Sequence, residues 1–445
     1  MSAPSTAPDA HAVAPLVVRT RAIPDPGTLL QLLPERRALS WVRRGEGLVG
    51  WGEALRFRTE GPDRFRDADR WWRELSASAV VRDEVGVPGT GPVAFGSFAF
   101  DPDSPRGGVL VVPETVVGHR DGRWWVTTTS ATGALPGLRP RLRAHDVTPP
   151  GEVAYSDGAL SSARWETAVA QAVDRIVAGD VDKVVLARDL VARTERSVDP
   201  RWLLRGLAER YDGCWTFGVD GLVGATPELL VRLERGLVHS RVLAGTIRRT
   251  GDDVHDLALA GSLARSSKDL EEHEYAVRSL AESLSPHCSS MNVPEAPFVL
   301  HLPNVMHLAT DVAGVLTDDA TSLRLAAAVH PTAAVCGTPT DAARALIREL
   351  EGMDRGRYAG PVGWIDARGD GEWGIALRCA EIVPDVDAAA GAPDDGVAGS
   401  APAAEGSRTL RLFAGCGIVA GSDPASELAE SDAKLVPMRD ALGGR

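Results

Sequence analysis

Hydrophobic and polar residues follow two different periods along the chain, which divide it into strands and helices. In the first third, short apolar runs with hairpin-length connections predict antiparallel strands. These runs are PLVVRTRAI, ALSWVRR, LVGWGEALRF, VAFGSFAF, GVLVVPETVV and RWWVTTTS. Among them, DRFRDADRWWRELSAS carries the spacing of an amphipathic helix.

The rest of the chain mixes strand patterns, such as CWTFGVDGLVGATPELLVRLERGLVHS, with longer helical patterns. The helical segments are SARWETAVAQAVDRIVAG, DPRWLLRGLAERY, SKDLEEHEYAVRSLAESL, PTDAARALIREL and the C-terminal DPASELAESDAKLVPMRDAL. No glycine-rich phosphate-binding motif follows a strand, so a nucleotide-binding fold has no support. The predicted class is α+β with large, mostly antiparallel sheets.

One polar residue interrupts this pattern at an informative place. In GDVDKVVLARDL, Lys183 opens an apolar run that predicts a buried strand. Lysines at strand ends commonly guard a sheet edge against aggregation. A lysine that is partly buried at a strand mouth can instead act as a general base. The segment alone favours the first interpretation.

Two compositional breaks divide the chain. A Pro-Pro-Gly segment separates an N-terminal half, residues 15–150, from a C-terminal region, residues 151–445, that carries the candidate chemistry. Residues 385–407 contain Ala, Gly, Pro and Asp but no large apolar side chain, and are predicted to be a disordered loop within one hairpin. Residues 1–14 are predicted to be a disordered tail without the features of a secretory signal.

Charge and cysteine content narrow the function classes. The net charge of −13 argues against nucleic acid and anionic membrane surfaces as partners. No apolar stretch is long enough to cross a bilayer. Five scattered cysteines without a CxxC pair indicate reduced thiols, predict a cytoplasmic location and disfavour a thiolate metal site.

Two predicted helices each offer a pair of carboxylates three residues apart. The pairs are Asp269 with Glu272 and Glu427 with Glu430. If the pairs face each other, they require a cation between them, and oxygen-only ligands suit Mg²⁺. The same spacing is also common on solvated helix faces, so this alternative stays open.

Three segments with small residues are predicted to be turns that expose backbone N–H groups to an anion. They are LAGTIRR, with Gly245 and Thr246, then HPTAAVCGTP, and FAGCGIVAG, with Gly415. Together with Arg378, such turns could form a pocket for carboxylates. Glycines for tight turns and an arginine on a strand face are the simpler alternative.

Taken together, the motifs resemble the chorismate-utilising enzymes. This family includes isochorismate synthases, salicylate synthases and the large chains of anthranilate and aminodeoxychorismate synthases. The similar segments are VAFGSFAFD, VDKVVLARDL, VGATPELLVR, LAGTIRR, KDLEEHEYAV, HLATDVAG, HPTAAVCGTP, RYAGPVGWIDARGDGEWGIALRCAEI and FAGCGIVAGSDPASELAESDAK. The resemblance implies one large α+β domain of the aminodeoxychorismate synthase-like fold, with two mostly antiparallel sheets packed together and helices outside.

The resemblance, closest to the isochorismate synthases, also implies chorismate as substrate, Mg²⁺ as cofactor and a role for Lys183. A lysine matching Lys183 is the general base that activates water, and ammonia-using members have none there. Glu228 matches the general acid that protonates the departing hydroxyl. The implied reaction adds water at ring carbon 2 while the carbon-4 hydroxyl leaves.

Further roles follow from the same resemblance. The residues implied to bind or enclose the substrate are Gly245, Thr246, His307, Ala334, Arg378, Gly415 and Lys434. The implied Mg²⁺ ligands are Glu272 and Glu430 directly, with Asp269 and Glu427 acting through waters. A structural histidine is the alternative for His307.

Departures from the family pattern bear on the product. Cys416 and Gly421 replace an alanine and a frequently acidic residue, and Ala244 replaces the lysine of aminodeoxychorismate synthases. Ala334 is typical of isochorismate synthases, whereas salicylate and anthranilate synthases tend to carry threonine. We expect a monomeric isochorismate synthase that serves menaquinone or siderophore biosynthesis. A salicylate synthase and, from another class, a non-catalytic chorismate-binding subunit are the alternatives.

Overall fold

The structure is a computed structural model that describes residues 15–35, 37–135, 142–383 and 406–443, apart from the side chains of Lys268 and Glu272. The predicted tail, residues 1–14, lies outside the described residues. So does the predicted loop, except for Gly406 and Ser407.

Eight α-helices lie in the described part of the chain. They are α1 (Arg64–Ser78), α2 (Ser162–Val177), α3 (Pro200–Arg210), α4 (Asp253–Leu263), α5 (Ser267–Leu284), α6 (Ser322–Val329), α7 (Thr340–Leu350) and α8 (Pro424–Ala441). The sequence patterns predicted all of them except α4 and α6. None of the described helices combines the length and the hydropathy that a bilayer span requires.

The described strands fall on either side of the Pro-Pro-Gly segment. Before it lie β1 (Val17–Ala22), β2 (Leu39–Arg43), β3 (Glu46–Trp51), β4 (Leu55–Thr59), β5 (Val80–Asp83), β6 (Val93–Phe98), β7 (Gly108–Val112), β8 (Thr115–Arg120) and β9 (Arg123–Ser130). After it lie β10 (Val153–Asp157), β11 (Lys183–Thr194), β12 (Trp215–Val219), β13 (Leu222–Thr226), β14 (Leu229–Glu234), β15 (Leu237–Arg248), β16 (Cys288–Asn292), β17 (Phe298–His301), β18 (Val305–Leu316), β19 (Gly337–Thr338), β20 (Pro361–Asp366), β21 (Gly371–Ile375), β22 (Cys379–Val383) and β23 (Thr409–Ile418).

These strands form two sheets, and each sheet takes strands from both parts of the chain. The first has 13 strands in the order β10-β11-β23-β22-β13-β12-β2-β3-β8-β9-β1-β5, with β19 beside β11. The second has 10 strands in the order β16-β18-β15-β14-β21-β20-β6-β7-β4, with β17 beside β18. Only β1 and β5 pair in parallel among the described strands. The α+β prediction with two mostly antiparallel sheets is therefore confirmed.

The two sheets share one hydrophobic core, which contains Trp41 and Phe217 of the first sheet and Phe95 and Trp373 of the second. A hydrogen bond of 2.8 Å from Trp41 Nε1 to Glu372 Oε2 joins the two layers. The helices pack outside, with α2, α7 and α8 against β11 or β23 and α5 against β15 and β18. This arrangement leaves β11 and β23 facing β14 and β15 at one end of the sandwich.

The hairpin prediction around the Ala-Gly-Pro segment is confirmed by strand pairing. β22 and β23 are antiparallel, with Ala380 opposite Leu412 and Val383 opposite Thr409. The start of the C-terminal helix is also as predicted. Asp423 caps α8 by accepting a hydrogen bond of 2.9 Å from the Ser426 N–H, and Pro424 is the first helical residue.

Two of the three predicted turns, those at Gly245 and Gly415, are wrong, because these glycines lie inside long strands. The third segment, HPTAAVCGTP, does turn at residues 333–335, before Gly337 enters the two-residue strand β19. Gly415 is within β23, opposite Ala187 of β11, so its backbone belongs to a sheet and is not an open anion turn. A Cβ at Gly415 would approach the Leu186 carbonyl oxygen to 2.7 Å, which explains the need for glycine. Gly245 lies within β15, where the pairing with β18 shifts register between Ala244 and Thr246.

Candidate active site

Lys183 is the first residue of β11 and only 3% of it is exposed. Its partner across the sheet is Thr338 of β19. Side chains two residues apart on a strand share a face, so Lys183 projects on the same side as Val185. Val185 lines a cavity between the two sheets, which places Lys183 at the edge of that cavity. The predicted buried strand with a lysine at its mouth is confirmed.

Glu228 lies in the bend between β13 and β14, and its backbone N–H donates a hydrogen bond of 3.2 Å to Thr226 Oγ1. Its carboxyl group is buried and lines the same cavity. Burial raises the pKa of Glu228 to about 8, although a backbone hydrogen bond from Leu243 and the positive charge of Lys183 act in the opposite direction. A carboxyl with this pKa is mostly protonated at neutral pH and can donate a proton.

A β-bulge shapes the wall formed by β15. Gly245 has φ of +78°, a conformation that favours glycine, and the Thr246 backbone pairs with His307 of β18. A Cβ at Gly245 would come within 3.1 Å of the Asp269 Cβ atom. The bulge therefore lets β15 approach helix α5 closely and turns Thr246 toward the cavity.

His307 connects this bulge to Arg378. Thr246 Oγ1 lies 3.0 Å from His307 Nδ1, and an Arg378 guanidinium N–H donates to His307 Nε2 across 3.1 Å. Burial and the nearby charges of Arg378 and Lys434 hold the pKa of His307 well below its ordinary value. The imidazole is therefore neutral. Both ring nitrogens have protein partners at the cavity wall, as a structural histidine would, so a role of His307 toward the substrate stays a prediction.

Two buried cations face the cavity beside Gly415. Lys434 Nζ donates to the Gly415 carbonyl oxygen at 2.9 Å and forms a 2.6 Å ion pair with Glu430. Burial works to lower the pKa of Lys434, but the charge and hydrogen bond of Glu430, together with Cys416, hold the pKa above its ordinary value. Arg378 lines the cavity, and burial lowers the pKa of its guanidinium. Its backbone φ is +49°, which is unusual for a residue other than glycine.

Carboxylates from two helices meet at the same cavity. Asp269 of α5 and both Glu427 and Glu430 of α8 line it. Ligand atoms of Glu427, Glu430 and Cys416 lie within 4.8 Å of one another. Glu272 follows Asp269 by one turn of α5, and its side chain lies outside the described residues. The two helices thus converge, as the sequence pattern required for a metal site.

The cavity measures about 260 Å³ and brings together most of the predicted residues. The predicted site residues that line it are Glu228, Gly245, Thr246, Asp269, His307, Ala334, Arg378, Gly415, Glu427, Glu430 and Lys434. Lys183 lies beyond Val185 at its edge. Acid, cations and carboxylates in a single small cavity can bind an anionic ring and exchange protons with it.

The lining residues that were not predicted as site residues include Tyr358, Phe413, Val185 and Arg355. The rings of Tyr358 and Phe413 stack with centroids 5.0 Å apart. The Tyr358 hydroxyl lies 3.2 Å from the position that a Cβ of Gly415 would take. Tyr358 lies in the segment RYAGPVGW, which resembles the chorismate-utilising enzymes. No neighbouring residue in the sequence distinguishes this tyrosine from one in the hydrophobic core.

Comparison with known proteins identifies the family of the chain. Residues 30–443 match the protein family described as chorismate binding enzyme. The chain belongs to the chorismate-binding enzyme family. The predicted family and its resemblance motifs are therefore confirmed.

Several relatives of this chorismate-binding enzyme have curated names. It is 33% identical to the "Salicylate biosynthesis isochorismate synthase" of Pseudomonas aeruginosa, over 91% of this chain and 84% of the relative. It is 31% identical to "Isochorismate synthase MenF" of Bacillus subtilis, over 89% and 85% of the two chains.

A solved structure of DhbC from Bacillus anthracis superimposes with a TM-score of 0.74. That comparison covers 94% of this chain and 99% of the other at 31% identity. Anthranilate synthase component I from Streptococcus pneumoniae superimposes with a TM-score of 0.66 at 21% identity, which shows a shared fold only.

Proposed function

We propose that this chain is an isochorismate synthase, which interconverts chorismate and isochorismate by adding water at ring carbon 2 as the carbon-4 hydroxyl leaves. The observation that carries the proposal is Glu228. It is a buried carboxyl with a pKa of about 8, in a cavity that also holds two cations and has Lys183 at its edge. Several relatives bear this enzyme's name.

Loss of a hydroxyl from a ring carbon requires a proton, because hydroxide is a poor leaving group. A protonated Glu228 supplies that proton without a strongly acidic environment. Its burial is what keeps the proton available at neutral pH. Glu228 then recovers the proton in the reverse direction, which is consistent with a reversible reaction.

The incoming water needs a base, and we assign that role to Lys183. It lies on the cavity side of β11, at the edge of the cavity that Glu228 lines. A base and an acid that approach the ring from different strands allow one bond to form as the other breaks. The absence of such a lysine in ammonia-using members of the family supports water as the nucleophile.

The substrate of this reaction carries two carboxylates, and the cavity offers matching groups. Arg378 and Lys434 provide buried positive charge, and Thr246 provides a hydroxyl beside the bulge at Gly245. Arg378 is held by His307, so its guanidinium is oriented before substrate binds. These residues would hold the anionic ring where Lys183 and Glu228 can reach its reacting carbons.

We further propose that Mg²⁺ binds between α5 and α8. The donors Asp269, Glu427 and Glu430 are carboxylates that meet at the cavity, and this oxygen-rich set fits a hard divalent cation. Glu272, one turn further along α5, is the additional ligand that the family resemblance implies. Bound Mg²⁺ would offset the negative charge of these carboxylates and attract a substrate carboxylate.

Product analysis tests the proposal. Purified protein with chorismate and Mg²⁺ should give a mixture of chorismate and isochorismate, with the same composition when approached from either compound. Coupled lactate dehydrogenase should report little pyruvate. Stoichiometric pyruvate with salicylate fluorescence would indicate a salicylate synthase. Binding of chorismate without any product would indicate a non-catalytic subunit.

Two biosynthetic pathways are candidates for using isochorismate. Among the relatives, the name MenF and the name "Vibriobactin-specific isochorismate synthase" of Vibrio cholerae point to menaquinone and to a siderophore respectively. We propose that the product serves menaquinone biosynthesis, as the name of the relative MenF suggests, and that the enzyme is monomeric and cytoplasmic. Neighbouring genes and a size measurement in solution would test these assignments.

A further inference from the structure

The strand that carries Lys183 has a gap along one edge. On that edge, β19 pairs with Lys183 and Val184, and β10 pairs from Leu190 onward. The Val185 N–H on this side donates to the Cys336 carbonyl oxygen at 2.8 Å, and none of the described strands pairs with residues 185–189 there. Backbone groups in a buried gap need other partners, because an unpaired buried N–H or C=O is strongly unfavourable.

Glu351 and Arg355 fill this gap with side chains. The Ala187 N–H donates to Glu351 Oε1 at 2.7 Å, and Arg355 NH2 donates to the Val185 carbonyl oxygen at 2.6 Å. The two side chains form an ion pair, with Arg355 Nε 2.9 Å from Glu351 Oε2. Both residues are at most 3% exposed, so solvent cannot replace these contacts.

The same arginine also fixes the neighbouring wall of the cavity. Arg355 NH1 donates to the Val335 carbonyl oxygen at 2.8 Å, next to Ala334. Its guanidinium lies 4.3 Å from the centre of the Phe100 ring. One planar guanidinium thus ties the backbone of β11 to the loop that contains Ala334, a geometry that the single ammonium of lysine cannot reproduce.

We propose that Glu351 and Arg355 are positioning residues that hold Lys183 in its reactive place by fixing the backbone of β11 two to four residues away. The inference rests on the proposed function, since it assigns the pair a purpose in water activation. A shift of Lys183 by a fraction of an ångström would reduce turnover more than it reduces substrate binding, because only the reacting distance changes.

The test uses the full chain with Arg355→Lys, and Glu351→Gln as a second variant that preserves shape. Arg355→Lys should lower kcat by about 10- to 100-fold with little change in KM. In a Lys183→Ala background, the same substitution should leave the residual turnover nearly unchanged, since the group being positioned is gone. Hydrogen–deuterium exchange should quicken in the peptide that contains Val185–Ala187 and stay at the wild-type rate in residues 190–194.

Arg201→Lys is the matched control. Arg201 is also buried, pairs with Asp199 at 2.7 Å and donates to the Leu33 carbonyl oxygen, but it lies at the start of α3. The Arg201→Lys substitution should lower the melting temperature of the protein and leave its kcat unchanged. Equal loss of turnover in both Lys183 backgrounds, or unchanged exchange at Val185–Ala187 in both variants, would overturn the positioning role. If the wild type forms no isochorismate, the proposed function fails, while the exchange result still decides whether the pair holds the strand.

Discussion

Arg378 donates a hydrogen bond to His307 Nε2 at 3.1 Å, and this contact fixes the tautomer of the imidazole. Arginine has no acceptor atom, so Nε2 must accept and the neutral ring carries its proton on Nδ1. That proton points toward Thr246 Oγ1, 3.0 Å away. The Thr246 hydroxyl can accept it and still donate its own hydrogen into the cavity, as recognition of an anion requires.

Arg378→Lys should therefore raise the KM for chorismate by about 10-fold or more, with a smaller change in kcat. A lysine cannot both bond to His307 and present parallel N–H groups to a carboxylate. Steady-state kinetics would check this. Arg357→Lys is the control, because Arg357 is equally buried but pairs with Glu381 at 2.9 Å outside the cavity lining. An unchanged KM in Arg378→Lys would remove Arg378 from the substrate site.

Glu228→Gln and Lys183→Ala should each lower turnover by about two to four orders of magnitude, since each removes a positioned proton donor or acceptor. Turnover with chorismate, combined with circular dichroism to confirm folding, measures the effect. Near-wild-type turnover in either variant would contradict the role assigned to that residue.

The pKa of Glu228 also predicts how stability depends on pH. The folded carboxyl keeps its proton up to about pH 8, whereas the group has an ordinary pKa of 4.5. Between these values the folded chain binds more protons than the unfolded chain, so the Glu228 contribution to the free energy of unfolding falls as pH rises. Denaturant unfolding at intervals from pH 5 to 8 should show the free energy of unfolding of the wild type falling relative to that of Glu228→Gln as pH rises. A constant difference would mean that the folded carboxyl titrates normally.

Mg²⁺ dependence should disappear together with activity in Glu430→Ala and Glu427→Ala. Removal of either carboxylate weakens a site built from a few oxygen donors. Calorimetric titration with Mg²⁺ measures binding separately from turnover. Glu274→Ala, on the exposed face of α5, should retain wild-type Mg²⁺ binding. Full activity of the wild type in excess EDTA would exclude the metal from the reaction.

Local sequence patterns predicted the elements that carry the site, but not how distant segments combine. The apolar run after Lys183 and the Asp-Pro start of α8 are local signals, and both were predicted correctly. The strand positions of Gly245 and Gly415 were missed because they depend on distant strand pairing: Ala244, beside Gly245, pairs with Leu308, and Gly415 pairs with Ala187, and these partners are 64 (308 − 244) and 228 (415 − 187) residues apart in sequence. Resemblance to a family supplied the roles that spacing alone left open.

The choice of product should depend on Ala334, which lines the cavity beside Val335. Ala334→Thr adds a hydroxyl at this wall, whereas Ala334→Val adds the same volume without one, so the pair separates chemistry from crowding. A hydroxyl there could hold the enolpyruvyl group in the geometry that lets pyruvate leave. We expect the wild type and Ala334→Val to release little pyruvate, and Ala334→Thr to release a larger share of pyruvate per chorismate consumed. Lactate dehydrogenase coupling and salicylate fluorescence would measure this share. If Ala334→Thr and Ala334→Val behave alike, the size of the side chain and not its hydroxyl governs the site, and the low pyruvate yield needs another cause.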